Sequence, residues 1–292
     1  MRMNSRTTGE KIFQVFLIMF FILASFIFLA PVLNVLAMSF SGTNAILRGD
    51  VGLWPVDFTT IGYEQVFQND NLINGYTNSI MIVLVHTPIN LIMTTLAAYP
   101  VSFGDFKGRR LYNLMIVLTM WVAGGMIPSF MIIKELGMLD SLWALIIPPL
   151  MGAYNIIVIR NYFDAIPKEL VESAKIDGAH DFKILFSIII PIAKPVLATV
   201  TLWIVVARWN EYMPALMYIT DRTKHTLQVV LRNIIMASEI SDFDLTAPEG
   251  TLSLPEQLRN ASIILSMIPM LIIYPFIQKY FVTGIMAGSV KG

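Results

Sequence analysis

The chain has 292 residues, 56% of them hydrophobic and only 14% charged, with a formal net charge of zero and a mean hydropathy of +0.68. A soluble domain of this length could not bury so much apolar surface, so the chain belongs in a lipid bilayer, and its neutral balance gives nucleic acid nothing to hold. The absence of cysteine excludes disulfides, thiolate metal sites and a cysteine nucleophile.

Residues 1–11 are short and basic, with Arg2, Arg6 and Lys11. Val15 to Leu33 then runs without a charge, about one bilayer thickness of helix. That is longer than the apolar core of a signal peptide, so a retained first span is expected over about 12–38. Residues 40–77 are polar and punctuated by glycines; Trp54-Pro55 and Tyr63 suggest order at the membrane interface. A second span is expected over 78–103, followed by the basic turn FKGRR. The third, 111–134, carries Gly124-Gly125 and Pro128 and should kink or pack closely. The fourth, 141–160, contains Pro148-Pro149 and Gly152. A polar piece over 167–187 separates it from the fifth span, 193–219. A second polar segment, 220–259, precedes the sixth span at 260–279.

This pattern predicts an all-α integral membrane protein, a single transmembrane domain over 1–292 with six spans. Six spans put both termini on one side, and lysine and arginine decide which. Thirteen of the 20 fall with the termini, FKGRR and the 167–187 piece, six fall opposite, and Arg208 lies within a span. The richer side is expected to be cytoplasmic, so 40–77 and 220–259 face outward.

The cytoplasmic piece organises the chain. Pro167 suits a first helical turn, where its missing N–H costs nothing. Leu170, Val171 and Ala174 share one face, while Glu169, Glu172 and Lys175 fall away from it. Gly178 takes positive φ freely and is expected to stop or bend the helix. Asp181 is placed to cap the next helix, and Phe182, Leu185, Phe186 and Ile189 make a second apolar stripe. Two short helices at an angle result. On the residues alone this is equally an ordinary amphipathic loop lying in the interface.

No P-loop, no Gly-x-Ser-x-Gly and no His-Glu-x-x-His occurs, so any ATP hydrolysis belongs to another chain. No catalytic residue is assigned. His86, His180 and His225 are far apart, and no metal site is expected. Asp242 and Asp244 have calcium-like spacing without the other ligands such a loop needs. Within the fifth span Arg208 and Glu211 lie three apart and can pair on one helix face. They are either a self-satisfied ion pair facing a partner helix or, with Trp209, Asn210 and Tyr212, the lining of a wet pathway. Aromatic faces beside hydrogen-bonding groups suit a sugar. Tyr154, Asn155 and Trp121 are weaker pathway candidates, since such residues more often simply pack. His86 and Asn90 share a face of the second span and suit interhelical hydrogen bonding.

Glu172-Ser173-Ala174, Asp177-Gly178-Ala179, Ile189, Pro191 and Pro195 resemble the Glu-Ala-Ala loop of ABC importer permeases, with Ser173 in place of the middle alanine. The likeness covers about residues 12–292: Trp54-Pro55, Asn78-Ser79-Ile80, Ala97-Ala98-Tyr99 and Gly137-Met138-Leu139 follow the carbohydrate-uptake members in order. The ending, from Tyr274-Pro275-Phe276 to Gly288-Ser289-Val290-Lys291-Gly292, is similar to a branch associated with complex oligosaccharides, including alginate- and pectin-type uronates. The resemblance implies a type I ABC importer permease fold. It makes Glu169, Glu172, Ser173, Ala174, Asp177, Gly178, Ala179, Phe182 and Pro191 the coupling surface for a cytoplasmic ATPase. It implies as partners a homologous second permease, two ATPase subunits and an extracytoplasmic sugar-binding protein. This chain would bind no cofactor, ATP and Mg being held by the ATPases. A secondary transporter or channel is the alternative; it would show inverted repeats with matching broken helices, and no repeat is evident.

Overall fold

The computed structural model describes residues 8–104, 107–122, 124–243 and 256–289, and among these there is no strand. In chain order the helices are α1 (Thr8–Ser39), α2 (Thr43–Leu47), α3 (Ile61–Gln68), α4 (Asp70–Phe103), α5 (Arg109–Trp121) and α6 (Met126–Glu135). Then come α7 (Trp143–Ile146), α8 (Ala153–Asp164), α9 (Glu169–Ile176) and α10 (Asp181–Ile184), a π segment (Leu185–Ile189) and α11 (Ile190–Ile192). The rest are α12 (Lys194–Trp209), α13 (Met213–Tyr218), α14 (Leu227–Phe243) and α15 (Glu256–Ser289). Arg2, Arg6, Phe106, the Asp242/Asp244 pair and the tail from Gln278 lie outside the residues whose side chains are described.

Among the described residues three helices, α1, α4 and α15, are long and apolar enough to cross a membrane, or up to five if each of two bent pairs counts as one span. One pair is α5 with α6, which break where Gly125 takes φ +83°. The other joins Asp181–Ile192 to α12 at 83°. The stretch expected as a fourth span is in two pieces. Pro148 and Pro149 supply no N–H, and helix resumes only after Gly152.

The chain divides into two compact units. One takes the described residues up to Asn69 together with those of Asn233–Met267. Here the polar segment that follows α1 is folded rather than loose. Asn34 Nδ2 donates to the carbonyls of Val51 and Gly52 (3.1 and 2.7 Å), and Gln257 Nε2 donates to Ser41 O (2.7 Å). Phe40 packs on Phe58 and Tyr63, with ring centroids 5.5 and 4.7 Å away. Gly62 is buried against the backbone of Gln257, and a Cβ there would sit 2.7 Å from the Gln257 carbonyl oxygen. Gly62→Ala is therefore expected to destabilise by about 1–3 kcal/mol, since backbone must move to make room. Gly52→Ala, which meets nothing within 4 Å, is its control. Thermal melting of the purified protein reads both, and equal melting temperatures would refute the close approach.

The other unit takes Asp70–Arg232 and the described residues from Ile268 on. One core cluster joins Ile156, Ile159 and Phe163 of α8 to Val171 and Ala174 of α9, to Ile184, Leu185 and Ile189, and to Val196, Val200 and Ile204 of α12. A second joins Ile82 of α4, Ile133 of α6, Ala144 to Ile146 of α7, and Ala215 and Tyr218 of α13. In lipid, apolar burial alone does little to hold helices together; close packing and buried polar links carry more. Such links are present. Asn78 Nδ2 donates to the carbonyls of Thr223 and His225 (2.9 and 3.0 Å), and the Leu227 N–H donates to Ser79 Oγ (2.9 Å). Asp140, at φ +56°, accepts the N–H groups of Thr220 and Asp221, which hold its carboxyl below the usual carboxylate range. The segment read as a polar outer loop, 220–259, contains α14, whose Leu227, Val229, Val230, Leu231 and Ile234 are buried. Those five sit inside a segment whose overall polarity hides them.

Candidate coupling surface and substrate cavity

The knob over 167–187 is built on a helix stop. α9 ends at Ile176, and Gly178 follows at φ +79°. The Ala179 N–H donates to Ala174 O (2.9 Å) and the Gly178 N–H to Lys175 O (3.0 Å). This is a Schellman cap, with the small apolar pair Ala174 and Ala179 in the core cluster beneath it. Val171 and Ala174 are buried, while Leu170 is exposed, so the apolar face is narrower than the spacing suggested. Glu169, Glu172, Ser173 and Asp177 are exposed on the other side.

Asp181 does not cap α10. His180 is the flanking residue, and the Asp181 carboxylate instead pairs with Lys175 (3.5 Å) and accepts from Tyr99 OH (3.3 Å). It thereby ties α9 and α10 to α4. Of the expected stripe Leu185 and Ile189 are buried, joined by Ile184, while Phe182 and Phe186 are exposed. The reason is the π segment. Its wider turn sets Ile184 and Ile189, five apart, on one side, and it ends just before Pro191, which has no N–H for the carbonyl four residues back. Pro191 itself is exposed. The knob thus presents Ile176 (86% exposed) and Phe182 (63%) among its charges. Ile176 escaped sequence reasoning because it continues the helix off its apolar face.

A cavity of about 470 Å³ lies among α4, the α7–α8 break, α8 and α12. Its wall includes His86 and Asn90, Pro149, Tyr154 and Asn155, and Trp203 and Arg208. Tyr154 and Trp203 bring their ring centroids to 5.5 Å. The broken fourth segment is what shapes it. Ile146 and Pro149 carry carbonyls at the break, and α4 supplies their donors. His86 Nδ1 donates to Ile146 O (2.9 Å), and Asn90 Nδ2 donates to Pro149 O (3.1 Å) and to His86 Nε2 (3.2 Å). Thr94 Oγ1 completes the set by donating to Asn90 Oδ1 (3.1 Å). Because a carbonyl only accepts, Nδ1 carries a proton and the amide nitrogen of Asn90 faces Pro149 O.

Arg208 Nη1 donates to Glu211 Oε1 at 2.6 Å, with side chains 15% and 8% exposed. Glu211 lines a second cavity of about 340 Å³ with Pro148, Pro149, Pro214 and Tyr218. The structure therefore brings Arg208, Tyr154 and Asn155 together and sets Glu211 beside them. Trp209 lies elsewhere, buried with its ring 6.1 Å from that of Tyr76. Asn210 is exposed and donates back to Val206 O (2.9 Å). Tyr212 sits under Arg232, with the guanidinium carbon 5.2 Å from the ring centroid. Trp121 is 83% exposed and borders neither cavity. α12 ends at Trp209, so residues 208 to 212 cross a helix end and the break before α13, and their side chains diverge rather than face one space. Trp203 was missed; it lies on the Arg208 side through the 203/207 and 204/208 spacings of α12.

Residues 92–287 match the family described as binding-protein-dependent transport system inner membrane component. The chain is 37% identical over 284 residues to the polygalacturonan/rhamnogalacturonan transport system permease protein YtcP of Bacillus subtilis, covering 97% of this chain and 99% of that one. It is 38% identical over 291 residues to Protein LplC of the same organism, covering 98% and 97%. Among solved structures it resembles a bacterial ABC transporter involved in the import of the acidic polysaccharide alginate. The TM-score is 0.84 at 34% identity, over 94% of this chain and 99% of that one.

Proposed function

The chain belongs to the family of binding-protein-dependent transport system inner membrane components, and from that premise we propose that it conducts uronate-bearing oligosaccharides into the cell as one permease of a paired importer. It is an ABC sugar-importer permease of type I fold, a membrane component and not an enzyme. Such a permease works with an ATPase and a substrate-binding protein, and the secondary-transporter alternative falls with that membership.

In the finer reading six spans cross the bacterial cytoplasmic membrane with both termini inside, as the lysine and arginine distribution favours. A homologous but different permease is the second half, and two ATPase subunits bind ATP and Mg beneath. An extracytoplasmic binding protein delivers the sugar. The α9–α10 knob is the coupling surface: Glu169, Glu172, Ser173 and Asp177 supply its polar face, Phe182 with Ile176 its apolar contacts, and Gly178 its bend. ATP closes the ATPases, the knob moves with them, and the contacts of Asp181 with Lys175 and Tyr99 help pass that motion to α4.

The observation that carries the substrate reading is Arg208 in the wall of a cavity that also shows the Tyr154 and Trp203 rings. Ring faces stack on sugar, and a guanidinium takes a carboxylate. The names of the polygalacturonan relative and the alginate importer support the same class. The test uses the whole importer in proteoliposomes, with trigalacturonate or its methyl ester presented by the binding protein. The acid is expected to raise ATP hydrolysis and uptake by about tenfold over the neutral ester. Equal responses, or a response to the ester alone, would overturn the reading.

A further inference from the structure

Glu211 and Arg208 form a buried pair whose geometry is incomplete. A guanidinium and a carboxylate ordinarily match through two parallel bonds. Here there is one, Nη1 to Oε1 at 2.6 Å, and Glu211 Oε2 is buried with no hydrogen-bond partner among the described residues. The two residues also line different spaces. Arg208 borders the larger cavity and Glu211 the smaller, and Pro149 borders both. Among the described residues, no aspartate or glutamate lines the larger one. Glu211 thus neutralises the fixed charge of the candidate substrate cavity from outside its wall.

We propose that Glu211 holds Arg208 from the smaller-cavity side until a substrate carboxylate in the larger cavity takes the guanidinium over, so that an acidic sugar is admitted by exchanging one carboxylate for another. This rests on the uronate reading of the cavity. A uronate carboxylate has the shape and charge of the glutamate it replaces, so Arg208 stays paired throughout. A neutral sugar offers only hydroxyls, and drawing Glu211 away for it would strand a buried guanidinium, which is strongly unfavourable. The released Glu211 has somewhere to go. Its side chain already lines the smaller cavity, whose volume of about 340 Å³ holds several waters to solvate it. The pair is then a selectivity device: discrimination comes from the penalty on the wrong substrate as much as from affinity for the right one.

Titration of the assembled importer in detergent, without its binding protein, tests this with trigalacturonate and its methyl ester. Glu211→Gln removes the competing charge and is expected to tighten the acid's Kd about tenfold, while the ester's Kd moves less than about twofold. The exchange Arg208→Glu with Glu211→Arg keeps an ion pair for assembly but places a carboxylate on the larger cavity. It should lose acid binding and keep ester binding. Should the glutamine variant fail to assemble, the exchanged pair decides alone. Unchanged or weakened acid binding in Glu211→Gln, parallel shifts for acid and ester, acid binding by the exchanged pair, or no acid binding by the wild type would each overturn the proposal. Uptake by the wild-type importer judges the uronate reading separately: acid-driven uptake with any of those results sinks the exchange alone, and no acid-driven uptake sinks both.

Discussion

Gly178→Leu is expected to insert and assemble normally yet lower transport at least about tenfold. The reason is backbone conformation more than bulk. An ideal Cβ at 178 meets nothing within 4 Å, so a larger side chain has open space in this chain. What it lacks is access to φ +79°, where a residue other than glycine costs roughly 1–2 kcal/mol. The Schellman cap then competes with a frayed end. A shift of that size changes the population of the capped form by a factor of about 5–30. Loss of the cap frees Ala179 from Ala174 and alters the direction in which α10 leaves α9. The outer knob, with Phe182 and Ile176, then meets an ATPase in the wrong register, and ATP hydrolysis continues without sugar movement. Gly178→Asn provides the discriminating control, because asparagine tolerates the left-handed region and should restore most transport. Uptake and ATPase rates of both variants in proteoliposomes make the measurement. Normal uptake by the leucine variant would remove the coupling role from this bend.

Asn90→Leu carries the second large effect, on stability. Leucine matches asparagine in branching and number of heavy atoms, though it is bulkier, and it has no polar atoms. It strands His86 Nε2, the Pro149 carbonyl and Thr94 Oγ1 together, each of which asparagine satisfies at 3.1–3.2 Å. Each buried group left without a partner costs about 1–3 kcal/mol, although polar links between membrane helices average nearer ~0.6 kcal/mol because the dissociated state finds partners of its own. Weighing three links between those limits gives about 2–3 kcal/mol, or a fall of roughly 5 °C or more in apparent melting temperature for a chain of this size. The α7–α8 break should loosen with it, since Ile146 and Pro149 depend on α4 for their donors. Thr94→Val, which removes only the outermost link, should cost less than half as much. A leucine variant that melts within about 1 °C of the wild type would show that these links contribute no net stability.

Much was legible in the chain because membrane physics writes in one dimension. A long charge-free run must bond its backbone internally, so α1, α4 and the start of α15 follow from composition alone. The Glu172 to Pro195 pattern revealed the family, and Gly178 announced the helix stop, because a positive φ restricts the residue type. Tertiary structure alone decided which groups meet. Pro148 and Pro149 said that the fourth segment would be disturbed, but not that α4 would satisfy its freed carbonyls through His86 and Asn90. The π segment, which turns Phe182 and Phe186 outward, arises from packing Ile184 and Ile189 on one core, and a period of 3.6 cannot anticipate it. Arg208 and Glu211 are neighbours by helical spacing, so their pairing was readable three residues apart. That Arg208 looks into a cavity shared with Tyr154 and Trp203, while Trp209 turns to Tyr76, depends on the rotation of α12 against α4 and α8. That rotation is set by the close packing of residues far apart in the chain, and no local signal carries it.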